Sequence, residues 1–300
     1  MARTPCNFHM AVCAFWCMAF DMNLQTKASF KKEYLAFFRT KKFLILAFVL
    51  IGLAIINPLI IVGLGAMMDS FSGIYEDFGM DVSPLTEALG SSVSSGVVQA
   101  VVDIAQTGLI VFVLVINSNA GGEQKKRSIM IPRSSGLKSF SYIFPKFIVY
   151  PLSAFVLAVL ASLAAWGISS VAFMNNDVSP FGVLLGGALS GVCLMFYICI
   201  HITIGTATGK AGLSATICIV TSLLLSNILL MFGSDLVYNP LALNVLAGKV
   251  VSNEGLHTTS PLEVIMTVII ALIIMVILYF LALFAQNAKK IDNSGNEIRI

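Results

Sequence analysis

Long apolar runs separated by short polar connections make up most of this chain from residue 43 onward. Each run holds about 20 residues or more, which is enough to cross a hydrocarbon core about 30 Å thick. Backbone groups in lipid must be paired within the segment, so the runs predict helices and not strands. Pro58 is expected to kink the first helix, and Pro151 to interrupt the third. The six predicted spans are Phe43–Met67, Val97–Ile116, Phe147–Phe173, Phe181–Ala207, Ala211–Phe232 and Val264–Ala285.

Residues 24–42 show a basic amphipathic pattern ahead of the first span. The pattern indicates either a helix lying in the membrane interface, with aromatic rings in the acyl boundary and cations at the headgroups, or a positively charged flank of the first span. The aromatic residues are Phe30, Tyr34, Phe37 and Phe38, and the cations are Lys27, Lys31, Lys32, Arg39, Lys41 and Lys42.

Residues 1–23 form an atypical extension to which no function is assigned. Its apolar run, Met10–Phe20, is too short to span a bilayer, and no small-residue cleavage site of a signal peptide follows it. Met1 and Met22 are alternative starts, and Met22 is favoured because MNLQTKASFKKEYLAF resembles an ordinary beginning of a chain. The transmembrane domain is expected to cover residues 24–290, with a cytosolic tail over 291–300.

The composition and the distribution of charge indicate a membrane protein and its orientation. The chain is 58% hydrophobic and 11% charged, whereas soluble domains contain about 25% charged residues. All but one of its 18 Lys and Arg residues lie before the first span, between spans two and three, after span four or in the tail. This asymmetry predicts that both termini are cytosolic and that residues 68–96, 174–180 and 233–262 face outside. Residues 241–251 are apolar enough for a short re-entrant or interfacial helix, with an extended surface loop as the alternative.

Few ionisable residues enter the predicted spans. Asp103 lies near the outer end of the second span and is either a substrate or gating residue or a solvated carboxylate at the helix end. His201 lies toward the inner end of the fourth span and is either functional or hydrogen-bonded to a neighbouring helix. GxxxG patterns within residues 182–191 predict close packing of helices inside the bundle.

The sequence contains no recognisable catalytic motif. HExxH and GxSxG are absent. Residues 205–210, GTATGK, have one residue too few between the glycines for a phosphate-binding loop, and Ala211 stands where a magnesium-binding Ser or Thr is needed. The segment predicts a tight cytosolic turn, and we expect neither ATP binding by this chain nor any cofactor. The six cysteines lack CxxC spacing, so neither a disulfide framework nor a zinc site is expected.

A polar and basic connection, Gly121 to Lys146, joins the second and third spans. It holds six of the Lys and Arg residues, and we expect it to meet a soluble partner. This connection contains, in order, an acidic residue, a basic cluster, an apolar run, a proline, further basic residues and a final lysine. The matching residues are Glu123, Lys125, Lys126, Arg127, Ile129–Ile131, Pro132, Arg133 and Lys146, with Ser128 in place of a Gly-Thr pair.

This order of residues, with a basic helix before six spans and both ends inside, resembles the ABC-2 type transporter permeases. The resemblance implies an all-α polytopic membrane protein with an N-terminal amphipathic interfacial helix. It further implies a plasma-membrane permease subunit that forms the translocation path as a dimer with a second copy or a homologue. A separate cytosolic ABC ATPase would bind a short helix within Glu123–Lys138 and supply ATP hydrolysis.

The substrate implied by the resemblance is an exported lipid, peptide, antibiotic or polysaccharide, and no nucleic acid is expected as a partner. The alternatives are an accessory or immunity protein of the same fold, a membrane enzyme acting on lipids, and a secondary transporter. The residues of the implied ATPase-docking loop are Glu123, Lys125, Lys126, Arg127, Pro132, Arg133 and Lys138.

Overall fold

The computed structural model describes residues 24–77, 93–123, 136–172, 178–225, 238–252, 260–291 and 297–299. These residues form α-helices joined by short connections, with one small strand pair at the end. The helices are α1 Leu24–Arg39, α2 Lys42–Asp77, α3 Val93–Asn117, α4 Ser139–Ala172, α5 Pro180–Thr208, α6 Ala211–Val220, α7 Leu243–Val251 and α8 Pro261–Asn287. π-helical turns extend α3 over Ser118–Gly122 and α6 over Thr221–Leu225, and a 3-10 turn, Pro240–Ala242, precedes α7. The strands β1 Lys289–Ile291 and β2 Glu297–Arg299 pair antiparallel, with Lys289 opposite Arg299.

Five of the predicted spans are confirmed as helices that are long and apolar enough to cross a membrane, namely α2, α3, α4, α5 and α8. The remaining prediction, Ala211–Phe232, is described as a shorter apolar helix as far as Leu225. Residues 226–237 lie outside the described part of the chain, so this span stays a prediction.

The prolines do not interrupt their helices. α4 runs through both Pro145 and Pro151 and begins eight residues before the predicted start at Phe147, so the predicted interruption is wrong. Prolines are tolerated in membrane helices because neighbouring groups can satisfy the freed carbonyls. α2 likewise continues through Pro58, which is buried against α3: a Cβ on Gly96 would lie only 2.9 Å from the Pro58 Cα.

α5 is the central helix of the bundle and packs against α3, α4, α6, α7 and α8. In its most apolar stretch 72% of the residues are buried, against 22% in α2 and 17% in α8. Its glycines allow this, because a Cβ on Gly187 would lie 2.8 Å from the Ser162 Cβ and one on Gly191 3.2 Å from the Phe155 Cα. The predicted packing role of the GxxxG patterns is therefore confirmed.

The short helix α7 confirms the helical prediction for residues 241–251, and the extended loop is wrong there. One face of α7 packs on α5, where a Cβ on Gly186 would meet Val251 at 2.3 Å. The other face packs on α3, where a Cβ on Gly248 would lie 2.8 Å from Val102. Its depth relative to a membrane stays a prediction.

α1 buries one face against α4 and α2. The buried residues Thr26, Phe30, Glu33 and Phe37 recur at helical spacing. The Phe37 ring meets the Tyr150 ring edge-on, with centroids 5.5 Å apart. The expectation that Phe30 and Phe37 enter the acyl boundary is wrong, because both rings are buried inside the protein on the same helix face as Glu33.

Two glycines allow the π-helical end of α3 to contact α5 closely. A Cβ on Gly121 would lie 2.7 Å from the Gly205 carbonyl oxygen, and one on Gly205 would lie 3.0 Å from the Ala120 carbonyl carbon. α5 ends at Thr208, and the next residue, Gly209, has a left-handed φ of 68° and donates its N–H to the Gly205 carbonyl oxygen at 2.9 Å. α6 begins two residues later, which confirms the predicted tight turn.

Candidate functional site

Lys146 is buried in the protein at the start of α4, with 0% of its surface exposed. Its Nζ lies 2.6 Å from Glu123 Oε2 and 3.7 Å from Glu33 Oε1, and it donates to the Asn119 carbonyl oxygen at 2.5 Å. The sequence predicts this lysine at the end of the polar connection before the third span, and that prediction is wrong. α4 already includes it, and a lysine can be buried there because two carboxylates balance its charge.

Glu123 follows the π-helical turn after α3 and joins three elements. Its Oε1 accepts from Lys32 Nζ of α1 at 2.7 Å, and its Oε2 accepts from the Tyr142 hydroxyl of α4 at 3.0 Å. Burial by itself raises the pKa of this carboxyl, but the ammonium groups of Lys146 and Lys32 lower it to about 2. Glu123 is therefore an anion held between two cations from different helices.

Glu33 brings α1 into the same cluster. Its Oε2 accepts from the Tyr150 hydroxyl of α4 at 2.6 Å, and Tyr150 in turn accepts from the side-chain amide of Asn119. Lys42 donates to the Asn119 side-chain oxygen, and to Ser118 Oγ at 2.8 Å. These contacts connect α1, the start of α2, the end of α3 and the start of α4.

We refer to Glu33, Glu123, Lys146, Asn119, Tyr142 and Tyr150 as the buried charge cluster. Its two carboxylates lie between the buried Lys146 and the half-exposed Lys32 at the surface. Two negative charges therefore face two positive charges. Two further hydrogen bonds tie α1 to the same region: Thr26 to Ser141 at 2.9 Å, and Gln25 to the Gly136 carbonyl oxygen at 3.4 Å. The cluster thus holds Glu123 at one border of residues 124–135, and Gln25 of α1 contacts Gly136 at the other border.

The structure brings only part of the predicted docking loop into this cluster. Glu123 belongs to it, whereas Lys138 is exposed just before α4. The predicted residues outside the described part of the chain are Lys125, Lys126, Arg127, Pro132 and Arg133. Their role stays a prediction.

Sequence reasoning missed Glu33, Asn119, Tyr142 and Tyr150 as site residues. One signal was present in α1: Glu33 is the single acidic residue of that helix and lies on its aromatic face, in register with Phe30 and Phe37. A carboxylate on the apolar face of a helix indicates a partner inside the protein.

Asp103 lies ten residues into α3, about 15 Å along the helix. Its Oδ2 accepts from the Asn57 amide of α2 at 2.9 Å, and its Oδ1 accepts from the Gln99 amide at 2.9 Å. The side chain is only partly exposed. Asp103 is therefore a partly exposed, hydrogen-bonded carboxylate between two helices, and both alternatives, a substrate or gating residue and a solvated carboxylate at the helix end, stay predictions.

His201 is fully buried in α5, and its Nδ1 lies 3.0 Å from Ser214 Oγ of α6. The predicted hydrogen bond to a neighbouring helix is confirmed. Among the described residues no group of three or more His, Cys, Asp or Glu side chains is arranged to hold a metal ion. The structure shows His201 packed between α5 and α6, and its predicted role in a translocation path stays a prediction.

No family model, curated protein or solved structure matches this chain. Its function is therefore inferred from the arrangement of apolar helices, the buried charge cluster and the basic segment that the cluster borders.

Glu123 is expected to keep its charge in strongly acidic solution. Its pKa is lowered from 4.5 to about 2, so its contribution to stability is complete above pH 4.5 and is lost as the pH falls through 2. Thermal unfolding in detergent should show a constant difference in Tm between the wild type and Glu123→Gln from pH 7 to about 5. The difference should shrink below pH 4.5. A difference that has already vanished at pH 5 would show that Lys146 and Lys32 do not hold the carboxylate ionised.

Proposed function

We propose that this chain is the permease subunit of an ABC transporter of the ABC-2 type, forming a translocation path and coupling to a separate ATPase. The observation that carries the proposal is the buried charge cluster, which attaches Glu123, at one border of residues 124–135, to α1 and α4. At the other border Gln25 of α1 contacts Gly136. The segment contains Lys125, Lys126, Arg127 and Arg133, a charge pattern suited to an acidic surface on a soluble partner.

The cluster gives such a segment a mechanical connection to the spans. Glu123 and Lys146 join the end of α3 to the start of α4 through a 2.6 Å ion pair, and Glu33 adds α1 to the same unit. A partner that displaces the segment would therefore move these helices together. Motion passes between sites through packed elements with discrete arrangements. The ion pairs among α1, α3 and α4 join these helices into such an element.

The proposal includes six spans in the plasma membrane, with both termini cytosolic. It is supported by the location of Lys and Arg on one side of the predicted topology. α2 and α8 expose many large apolar residues, which suits a bilayer and a second permease copy or homologue. ATP hydrolysis belongs to the partner in this proposal, and export is the direction that the family resemblance favours.

A pull-down of the tagged chain from its native membrane, in mild detergent, tests this function. We expect a stoichiometric ATPase with a Walker motif, identified by mass spectrometry. Replacing Lys125, Lys126 and Arg127 with serine should reduce its recovery about tenfold, since three charge contacts of about 0.5 kcal/mol each are removed. Membrane insertion should be unchanged.

The matched control is Lys249→Ser, which removes an exposed cation from α7 on the side predicted to face outside. It should leave recovery of the ATPase at the wild-type level. Recovery of no ATPase by the wild type would refute the permease function. Equal recovery by the wild type and the triple variant would refute docking through residues 124–135.

A further inference from the structure

α3 presents a stripe of polar side chains within a membrane-spanning segment. Gln99 and Thr107 are exposed, and Asp103 and Gln106 are partly exposed. Asp103 follows Gln99 by four residues, and Gln106 and Thr107 follow Asp103 by three and four residues, which places all four on one side of the helix. Polar groups facing acyl chains are costly, and membrane proteins turn them toward other protein groups or a water-filled path.

Asp103 carries the only ionisable group of this stripe, and within the described part of the chain no Lys or Arg forms an ion pair with it. Both of its oxygens accept hydrogen bonds from neutral amides, those of Asn57 and Gln99, at 2.9 Å. The ion pairs within the described residues join other side chains, around Glu33 and Glu123. An anion in a poorly polar environment attracts a cation more strongly than it would in water.

The surroundings of Asp103 define what kind of cation would fit. The amide oxygens of Asn57 and Gln99 are further acceptors beside the carboxylate, and together they suit a group with several N–H donors. Next to Asn57, the side chains of Ile56, Leu59 and Ile60 are exposed on α2. A molecule that combines an ammonium or guanidinium group with an apolar body would complement both the hydrogen-bond acceptors around Asp103 and the exposed apolar side chains of α2.

The site also lies at a distinct depth. Asp103 is 15 residues before Ser118, which contacts Lys42 at the charged end of the bundle, so the two levels are about 22 Å apart along α3. A hydrocarbon core is about 30 Å thick. The carboxylate is therefore far from the buried charge cluster and toward the opposite side of the membrane.

We propose that Asp103, Asn57 and Gln99 form a binding site for the cationic group of an amphiphilic amine. The proposal deepens the permease function and rests on it for the transport step, since it names the class of molecule that the path would accept. Binding itself requires only this chain.

The probe is dansylcadaverine, a fluorescent primary amine with an apolar body, titrated onto the full chain in phosphatidylcholine nanodiscs. We expect saturable binding that Asp103→Asn weakens at least tenfold, because a hydrogen bond to a charged group is lost. Asp103→Glu keeps the carboxylate and should bind within a few-fold of the wild type. N-acetylated dansylcadaverine, which lacks the positive charge, should show no saturable binding to any of these proteins.

The control variant is Glu263→Gln, which removes a carboxylate from the first turn of α8 and should not change binding. Equal affinity of the wild type and Asp103→Asn, or equal binding of the acetylated probe, would overturn the proposed site. Saturable binding that depends on Asp103, in a chain that recovers no ATPase in the pull-down, would refute the permease function and retain the amine site. Recovery of the ATPase with binding that ignores Asp103 would refute the amine site alone.

Discussion

Replacing Lys146 with methionine is expected to destabilise the protein by about 3 to 5 kcal/mol, because it removes the buried counter-charge of Glu33 and Glu123 and leaves them only the exposed Lys32. Methionine fills much of the space of the lysine stem, so the loss would come from the charge and not from a cavity. The hydrogen bond from Lys146 to the Asn119 carbonyl oxygen is removed as well. Denaturant titration in mixed micelles, followed by circular dichroism, measures the change.

Two further variants separate the ionic effect from a packing effect. Lys138→Met removes an exposed cation eight residues earlier and should change stability by no more than about 0.5 kcal/mol. Adding Glu33→Gln and Glu123→Gln to Lys146→Met should recover most of the lost stability, because the buried charges are then gone. If the triple variant were as unstable as Lys146→Met, unbalanced charge would not be the cause.

Gly205→Val is expected to lower the stability of the bundle by about 1 to 3 kcal/mol or more, since it inserts a side chain where two backbones touch. The new Cβ would lie 3.0 Å from the Ala120 carbonyl carbon and 3.1 Å from its oxygen. Backbone atoms cannot move aside by changing a rotamer, so α3 and α5 would have to separate. Thermal unfolding and size-exclusion chromatography in detergent detect this change.

Gly212→Val is the matched control, because Gly212 also lies in a helix, in α6, and a Cβ there meets nothing within 4 Å. Both substitutions carry the same cost of a β-branched residue in a helix. A similar loss of stability in the two variants would mean that the α3–α5 contact is not responsible.

Local patterns were sufficient to predict the five long apolar helices because length and apolarity are properties of a single segment. The helices α3, α5 and α8 begin and end within a few residues of the predicted bounds. The short helix α7 was predicted for the same reason, since its apolar residues follow one another along the chain. The start of α4 was missed because the polar residues before Phe147 resemble a loop when their partners are unknown.

The buried charge cluster could not be predicted because its contacts join distant parts of the chain. Glu33 and Tyr150 are 117 positions apart, and Lys32 and Glu123 are 91 apart. In the sequence Lys146 resembles any cation at the flank of a span, where cations commonly lie. Only the fold brings Glu33 and Glu123 close to Lys146. Because these carboxylates balance its charge, the lysine is buried and does not lie at the surface.

The order of the cluster along the chain also bears on how the protein is made. Both carboxylates are synthesised before their common partner, and the later of them precedes Lys146 by 23 residues. Chains are synthesised at about 5–20 residues per second, so Lys146 follows Glu123 out of the ribosome after roughly 1 to 5 s. During this interval both carboxylates have emerged and the lysine has not. The helix carrying the lysine can therefore leave the translocation machinery directly onto waiting counter-charges, and the second half of the chain is not needed to neutralise it.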